Sequence, residues 1–211
     1  MDAEYFRSGS SMFGELIAVT DYKVKLLGDL VGIEKGIEPG ADAYEENGKL
    51  FIRVSSVSKQ GLIDKDQKYI SEKLYEELKK DYEPKKGEIL LTKDASPGIA
   101  YVLDENIQGV ISGGVLRLKL KEDIEPEYIA LCINSVFGQM QVERDAGGSI
   151  IKHWKPDQVK SLLIPIVSKT IQQKIAELVR ESHEARKKSK EFLEEAKRKV
   201  EELVEKGSKT E

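Results

Sequence analysis

Ser96, Asp94 and His153 are the residue types of a hydrolytic triad, in which a carboxylate orients an imidazole that activates a hydroxyl. Ser96 runs directly into Pro97-Gly98, in a turn, and this sets the triad aside. Cys132 falls on the apolar stripe of a helical pattern, the position of a structural thiol rather than a nucleophile. Asp157 with Glu195-Ala196-Lys197 has nuclease-like residue types, but the spacing is common by chance and would need groups from two separate parts of the chain. No Gly-x-Gly-x-x-Gly follows a strand pattern, and neither a Walker-type Gly-Lys-Ser/Thr nor a Gly-x-Ser-x-Gly elbow occurs. One cysteine and two histidines exclude a disulfide framework and leave few transition-metal ligands. Enzymatic constellations are thus mostly absent, and no cofactor is expected. What remains is three Gly/Ser loops carrying polar side chains: Leu91-Thr92-Lys93-Asp94-Ala95-Ser96-Pro97-Gly98, Ile111-Ser112-Gly113-Gly114, and Ala146-Gly147-Gly148-Ser149-Ile150-Ile151-Lys152-His153-Trp154-Lys155.

These loops need a frame, and 211 residues can bury a real core. No run of about 18 apolar residues occurs, so no membrane span is expected. The start, Met-Asp-Ala-Glu-Tyr-Phe-Arg, lacks the order of a secretory signal, and a cytoplasmic location is expected. The frame is α+β, a mixed small-sheet domain followed by a long helix. Strands are predicted at Leu50-Phe51-Ile52-Arg53-Val54, Glu88-Ile89-Leu90-Leu91-Thr92, Ile99-Ala100-Tyr101-Val102-Leu103 and Val115-Leu116-Arg117-Leu118-Lys119-Leu120. Helices are predicted over 71–80 and from Pro126 to about Asp145, with a short one from Pro156.

Composition shifts at Ser168. Residues 1–167 form one domain, broken by Gly and Pro; residues 168–211 contain no Pro and no Gly before Gly207. The net charge of −4 divides into −6 for the first segment and +2 for the second. Thr170-Ile171-Gln172-Gln173 fits a capping box, and Gly207 a stop. Between them Ile171, Ile175, Leu178, Ser182, Ala185, Ser189, Phe192 and Ala196 form an a/d seam, which slips before Leu203. About 36 helical residues span roughly 54 Å. A helix of this length and polarity needs a partner, so a coiled-coil arm is expected rather than a solvated helix lying on its own domain.

Read in order, the motifs resemble those of type I restriction-modification specificity subunits. Lys86-Gly87-Glu88-Ile89-Leu90-Leu91 through Gly98 is similar to their "KGDILL" segment and the loop after it. Pro126-Glu127-Tyr128-Ile129 with Asn134-Ser135 resembles "PEYL…LNS", and Gly148-Ser149-Ile150-Ile151-Lys152-His153 resembles "GSTIKHL". Leu163-Ile164-Pro165-Ile166, followed by Gln172-Gln173-Lys174-Ile175-Ala176, resembles the "IPLP…EQ" run into the family's spacer helix. Upstream, Leu27-Gly28-Asp29-Leu30 and Phe51-Ile52-Arg53-Val54 fit the opening pattern. Ala95-Ser96-Pro97-Gly98 departs from the usual Gly-Ser-Ile-Gly. The resemblance covers residues 23–206. It implies a DNA target recognition domain and one of the two long helices of a full-length subunit, hence a half-length form. Such subunits choose the double-stranded DNA sequence and hold methyltransferase (modification) and restriction/translocase subunits on it.

On that reading Gly147, Gly148 and Ser149 let backbone approach phosphates, with Lys152, His153 and Lys155 bringing donors beside it. Lys93 can donate to guanine, and Ser96 to base or phosphate. Trp154 either stacks on sugar and base or packs into the core, and Arg53 is either a DNA contact or part of a structural ion pair. The arm is expected to pair with its copy as an antiparallel homodimer, setting half-sites up to roughly 16 base pairs apart at about 3.4 Å per pair. The main rival is a coiled-coil scaffold module with no DNA specificity, and a second is an enzyme with an unfamiliar site.

Overall fold

The computed structural model describes residues 22–146 and 153–207. In chain order these form β1 (Lys23–Leu26), α1 (Leu27–Leu30), β2 (Val31–Lys35), β3 (Lys49–Ile52), β4 (Val57–Ser58), β5 (Gly61–Leu62), β6 (Lys68–Ile70) and α2 (Glu72–Tyr82). There follow β7 (Ile89–Thr92), β8 (Ala100–Val102), β9 (Gly109–Ile111), β10 (Val115–Leu120), α3 (Pro126–Asn134), α4 (Val136–Ala146), α5 (Pro156–Lys160), β11 (Leu163–Ile166) and the arm, α6 (Lys169–Gly207). The architecture is the expected α+β arrangement, small sheets with a long last helix.

The central sheet is antiparallel, in the order β2-β10-β7-β8. Its strand β7 reads Ile-Leu-Leu-Thr and is buried at all four positions, as a continuous apolar run bounded by turns requires. One face packs on α3 and α4 through Ile129, Ile133 and Val142, while the other meets Ile52, Ile111 and Val57. Arg117 of β10 is buried between Glu34 of β2 and Glu88 beside β7, so its charge is paired within the sheet. A second sheet, β6-β3-β9, pairs β3 with β9 in parallel and carries α2. Ser71 caps α2 by accepting from the Leu74 N–H at 3.2 Å, and Tyr75 buries its ring against Phe51, Ile70 and Val110.

Two expectations are corrected. The single helix from Pro126 is two helices that meet at Ser135. The apolar period runs through the break, but Gly138 lies against the end of α3, where a Cβ would come within 2.3 Å of the Cys132 and Ile133 carbonyl oxygens. The Ser135 hydroxyl donates to the Cys132 carbonyl and accepts from the Gly138 N–H, which closes one helix and opens the next. The arm does not start in a Thr170 capping box. It begins at Lys169, and the Ile171 N–H approaches the Ser168 hydroxyl at 3.4 Å. Gln172 turns into the domain, accepting from the Glu125 N–H and donating to the Val167 carbonyl.

The root of the arm packs on α3. Ala176 is fully buried, Ile175 is half-buried against the main core, and His183 lies beside the Tyr101 ring. From Glu184 to Glu205 every side chain is exposed. The helix thus starts on its own domain, and Arg186, Lys187, Lys190 and Glu191 still line a cleft with Gln60, Asp64 and Glu105.

Candidate nucleic-acid interface

The ends of β3, β7 and β9 open on a cleft of about 570 Å³, lined by Arg53, Ser55, Tyr44, Asp94, Ser96 and Ser112 among others. The loop after β7 is held in shape from within. The Thr92 hydroxyl donates to the Ser96 carbonyl at 2.6 Å and accepts from the Ile99 N–H at 3.0 Å. Ala95 takes φ 56°, a conformation that a side chain seldom adopts. Gly98, at φ 88°, lies where a Cβ would meet Val142 at 2.9 Å, so the loop sits directly on α4.

This loop is stitched to the segment ending the third Gly/Ser loop. The Trp154 N–H donates to the Lys93 carbonyl at 2.8 Å, and Asp94 and His153 form an isolated antiparallel bridge. The Asp94 carboxylate then takes two cationic or donor groups: Lys93 Nζ at 2.5 Å and His153 Nδ1 at 2.8 Å. Burial alone would raise the Asp94 carboxyl, but the hydrogen bonds from Lys93 and His153 outweigh it and hold it below the ordinary aspartate value. The His153 side chain remains 65% exposed, and among the described residues only its Nδ1 is engaged.

The structure brings Arg53 and Ser96 to the cleft and Lys93 and His153 to its carboxylate, while exposed Lys155 follows at the start of α5. Arg53 donates from Nη2 to the Asp66 carbonyl at 3.1 Å. Its Nε is buried without a partner among the described residues. Gly147, Gly148, Ser149 and Lys152 lie outside the described residues. Trp154 takes the core alternative: its ring is 1% exposed within the main core, and a ring so enclosed has no face to offer a base. Its part in the site is to anchor His153 from behind. The residues that sequence reasoning missed, Tyr44, Ser55 and Ser112, reach the cleft through turns and strand ends. Only Ser112, in the second Gly/Ser loop, carried a signal.

Chemically, the cleft offers hydroxyls and a guanidinium beside two carboxylates, Glu38 and the Asp94 group that Lys93 and His153 pair. This is a set for directional hydrogen bonds to polar edges rather than for bulk charge attraction. Among the described residues the Ser96 hydroxyl makes no bond to His153, so the triad is not assembled. Burial pushes the Cys132 thiol up to about 11, leaving it protonated at neutral pH. Among the described residues no group of three or more His, Cys, Asp or Glu side chains could hold a metal ion, and no helix is long and apolar enough to cross a membrane.

The chain was compared with known proteins. The family described as "Type I restriction modification DNA specificity domain" matches residues 20–191. No curated protein matches. Among solved structures, the S subunit of a type I restriction-modification system from M. genitalium is similar at TM-score 0.55 and 16% identity, covering 76% of this chain and 38% of that one. The HsdS subunit from Thermoanaerobacter tengcongensis is similar at 0.53 and 15%, covering 89% and 47%. The type IIG restriction endonuclease BpuSI is similar at 0.60 and 13%, covering 82% and 28%. The chain therefore spans about half the length, or less, of the solved proteins it matches, and the likeness at these identities is one of fold. With most of its length matched by the family, the chain belongs to the type I restriction-modification DNA specificity domains.

Proposed function

We propose that this chain reads one half of a bipartite double-stranded DNA site and docks methyltransferase and restriction/translocase subunits on it, performing no catalysis and using no cofactor. The observation that carries the reading is the cleft at the ends of β3, β7 and β9. There two Gly/Ser loops are joined by Asp94–His153 and Lys93–Trp154, and polar side chains from separate strands converge on one opening. Arg53, Lys93, Ser96, His153 and Lys155, with the 147–152 segment, are the contacts to DNA on this reading. The net −6 of residues 1–167 is consistent with readout through a few loops while partner subunits supply phosphate affinity.

The arm is the dimerisation element of the proposal. Ile171, Leu178, Phe192 and Leu203 are 43%, 65%, 69% and 71% exposed, and with Ser182, Ala185, Ser189 and Ala196 they form one stripe along the helix. Ile175 leaves this stripe for the domain. Pairing of the stripe with a second copy, antiparallel about a twofold axis, sets two recognition domains along an arm of roughly 58 Å, room for up to about 17 base pairs between half-site centres.

The test is selection from a random duplex library by the full chain together with the methyltransferase subunit. The expected result is an inverted repeat with an unspecified gap that lengthens when whole heptads are added to the arm. A library that returns no enriched sequence overturns the DNA reading and leaves the coiled-coil scaffold, the reading favoured by the exposed stripe alone. A gap unchanged by added heptads overturns the spacing role.

A further inference from the structure

The arm presents two distinct faces. At 3.6 residues per turn, Gln172, Ile175, Ala176, Val179, Arg180 and His183 centre about 140° away from the stripe of Ile171, Leu178, Ala185, Phe192 and Leu203. The first set packs on the domain as far as His183; from Glu184 to Glu205 every side chain is exposed, although Arg186, Lys187, Lys190 and Glu191 still line a cleft with domain residues. The direction in which the free length points is therefore decided within the first four turns.

Apolar contact there comes from fully buried Ala176 and half-buried Ile175. The directional bonds are ionic. Arg180 places Nε at 2.6 Å from Glu127 Oε1 and Nη2 at 2.9 Å from Glu127 Oε2, a fork on a single carboxylate. The same Nη2 lies 2.9 Å from Glu125 Oε2. One turn nearer the start of the arm than Gln172, Lys169 reaches Glu125 at 3.1 Å and Asp123 at 2.5 Å. Both glutamates stand at the first turn of α3, beside Pro126, where the helix terminus favours negative charge. Glu127 is 8% exposed, so its carboxylate is enclosed where Arg180 meets it. A planar fork on an enclosed carboxylate defines an angle as a point charge does not.

Leverage makes that angle matter. From Arg180 to the end of the helix is about 40 Å, so a tilt of about 10° moves the tip by roughly 7 Å, or about two base pairs along a duplex. We propose that Arg180, through its fork on Glu127, is a positioning residue that fixes the arm against the recognition domain and so sets a single gap length between half-sites. This inference rests on the two-half-site reading proposed above.

Two measurements on the full chain test it. In the duplex selection with the methyltransferase subunit, the parent is expected to return one gap length. Arg180→Met is expected to spread it over two or three adjacent lengths with the half-site bases unchanged, and Arg180→Lys, which keeps charge but loses the fork, to give an intermediate spread. Glu127→Arg combined with Arg180→Glu is expected to narrow the spread again. Glu127→Gln serves as the second variant should Arg180→Met fail to fold. A gap as sharp as the parent's in these variants, or altered bases at an unchanged gap, overturns the proposal. The second measurement needs no DNA: spin labels at Lys73→Cys on α2 and Glu201→Cys on the arm, in a Cys132→Ala background, report the distribution of distances between domain and arm. A narrow parental distribution that broadens in Arg180→Met supports the clamp, and equal widths overturn it. If the parent enriches no duplex yet its label distances respond to Arg180, the DNA reading fails while the clamp stands.

Discussion

Asp94 and the Glu125–Glu127 pair each gather two basic side chains, but they leave those side chains in opposite conditions. At Asp94 the partners are Lys93 and a His153 ring that remains largely in solvent, at the mouth of a cleft. At Glu125 and Glu127 the partners are Lys169 and Arg180, and the fork of Arg180 is taken up by carboxylate oxygens. One centre holds its donors at an exposed cleft; the other uses its donors to join a helix to a domain. On the proposed reading the same charge chemistry serves recognition at the first and geometry at the second.

The strongest way to break the comparison lies one residue from its exposed member. Trp154→Ala removes a ring enclosed in the main core and should lower stability by about 3–5 kcal/mol, whereas His153→Ala, at an exposed side chain, should change it by no more than about 0.5 kcal/mol. Urea unfolding midpoints of the two variants check this, and equal losses would show that His153 is a packing residue.

Acid comes next. Burial raises the Glu125, Asp94 and Glu34 carboxyls, but their lysine, arginine and histidine partners outweigh it, and all three lie below their ordinary values in the folded chain. A carboxyl depressed on folding stabilises above its unfolded value, about 4.3 for Glu and 3.9 for Asp, and that contribution is lost as pH falls through the lower folded value. The unfolding midpoint should therefore hold from pH 7 to about 5 and decline below about 4. Asp94→Asn should flatten part of the decline; a midpoint that rises on acidification would reverse the assignment.

A double-mutant cycle between Arg180 and Glu127 should give a coupling of about 1 kcal/mol, since the arginine is half exposed and screened. The Asp94–His153 cycle should give less, about 0.5 kcal/mol or below. Finding the larger coupling at Asp94 would invert the division between the two centres. Smallest in stability is Leu203→Asp on the free arm, expected to leave the unfolding midpoint within about 0.5 kcal/mol. Its effect should appear instead in sedimentation, as loss of self-association at concentrations where the parent associates.

Much of this frame was legible in the chain. The apolar runs that became β3, β7, β8 and β10 carry their own signal, and so does α2 behind its Ser71 cap. Strands β4 and β5, of two residues each, are too short for a period to register, and Pro165 disguises β11, which among the described residues pairs with β1. The break at Ser135 follows from a close backbone approach at Gly138 that no periodicity records. In the site, the loops were legible as Gly/Ser clusters, but their junction was not: Asp94 and His153 stand 59 positions apart, and only the folded sheet brings them together. Arg180 gave no sign for the same reason, one charge among many on a polar helix until Glu127 meets it across 53 positions. Trp154 shows the converse, an aromatic whose exposure is decided wholly by its neighbours.

Strands β7 and β8 are buried at every position, yet the loops they bear place exposed Ser96 and Ala95 beside exposed Ser55 at the cleft. On the proposed reading this separates two kinds of inheritance. The frame is held by enclosed residues that tolerate little change, while substitutions at the cleft surface are close to neutral for folding. A lineage can then acquire new targets by point changes at the rim, with Ala95 alone restricted by its backbone, and still descend with the same scaffold.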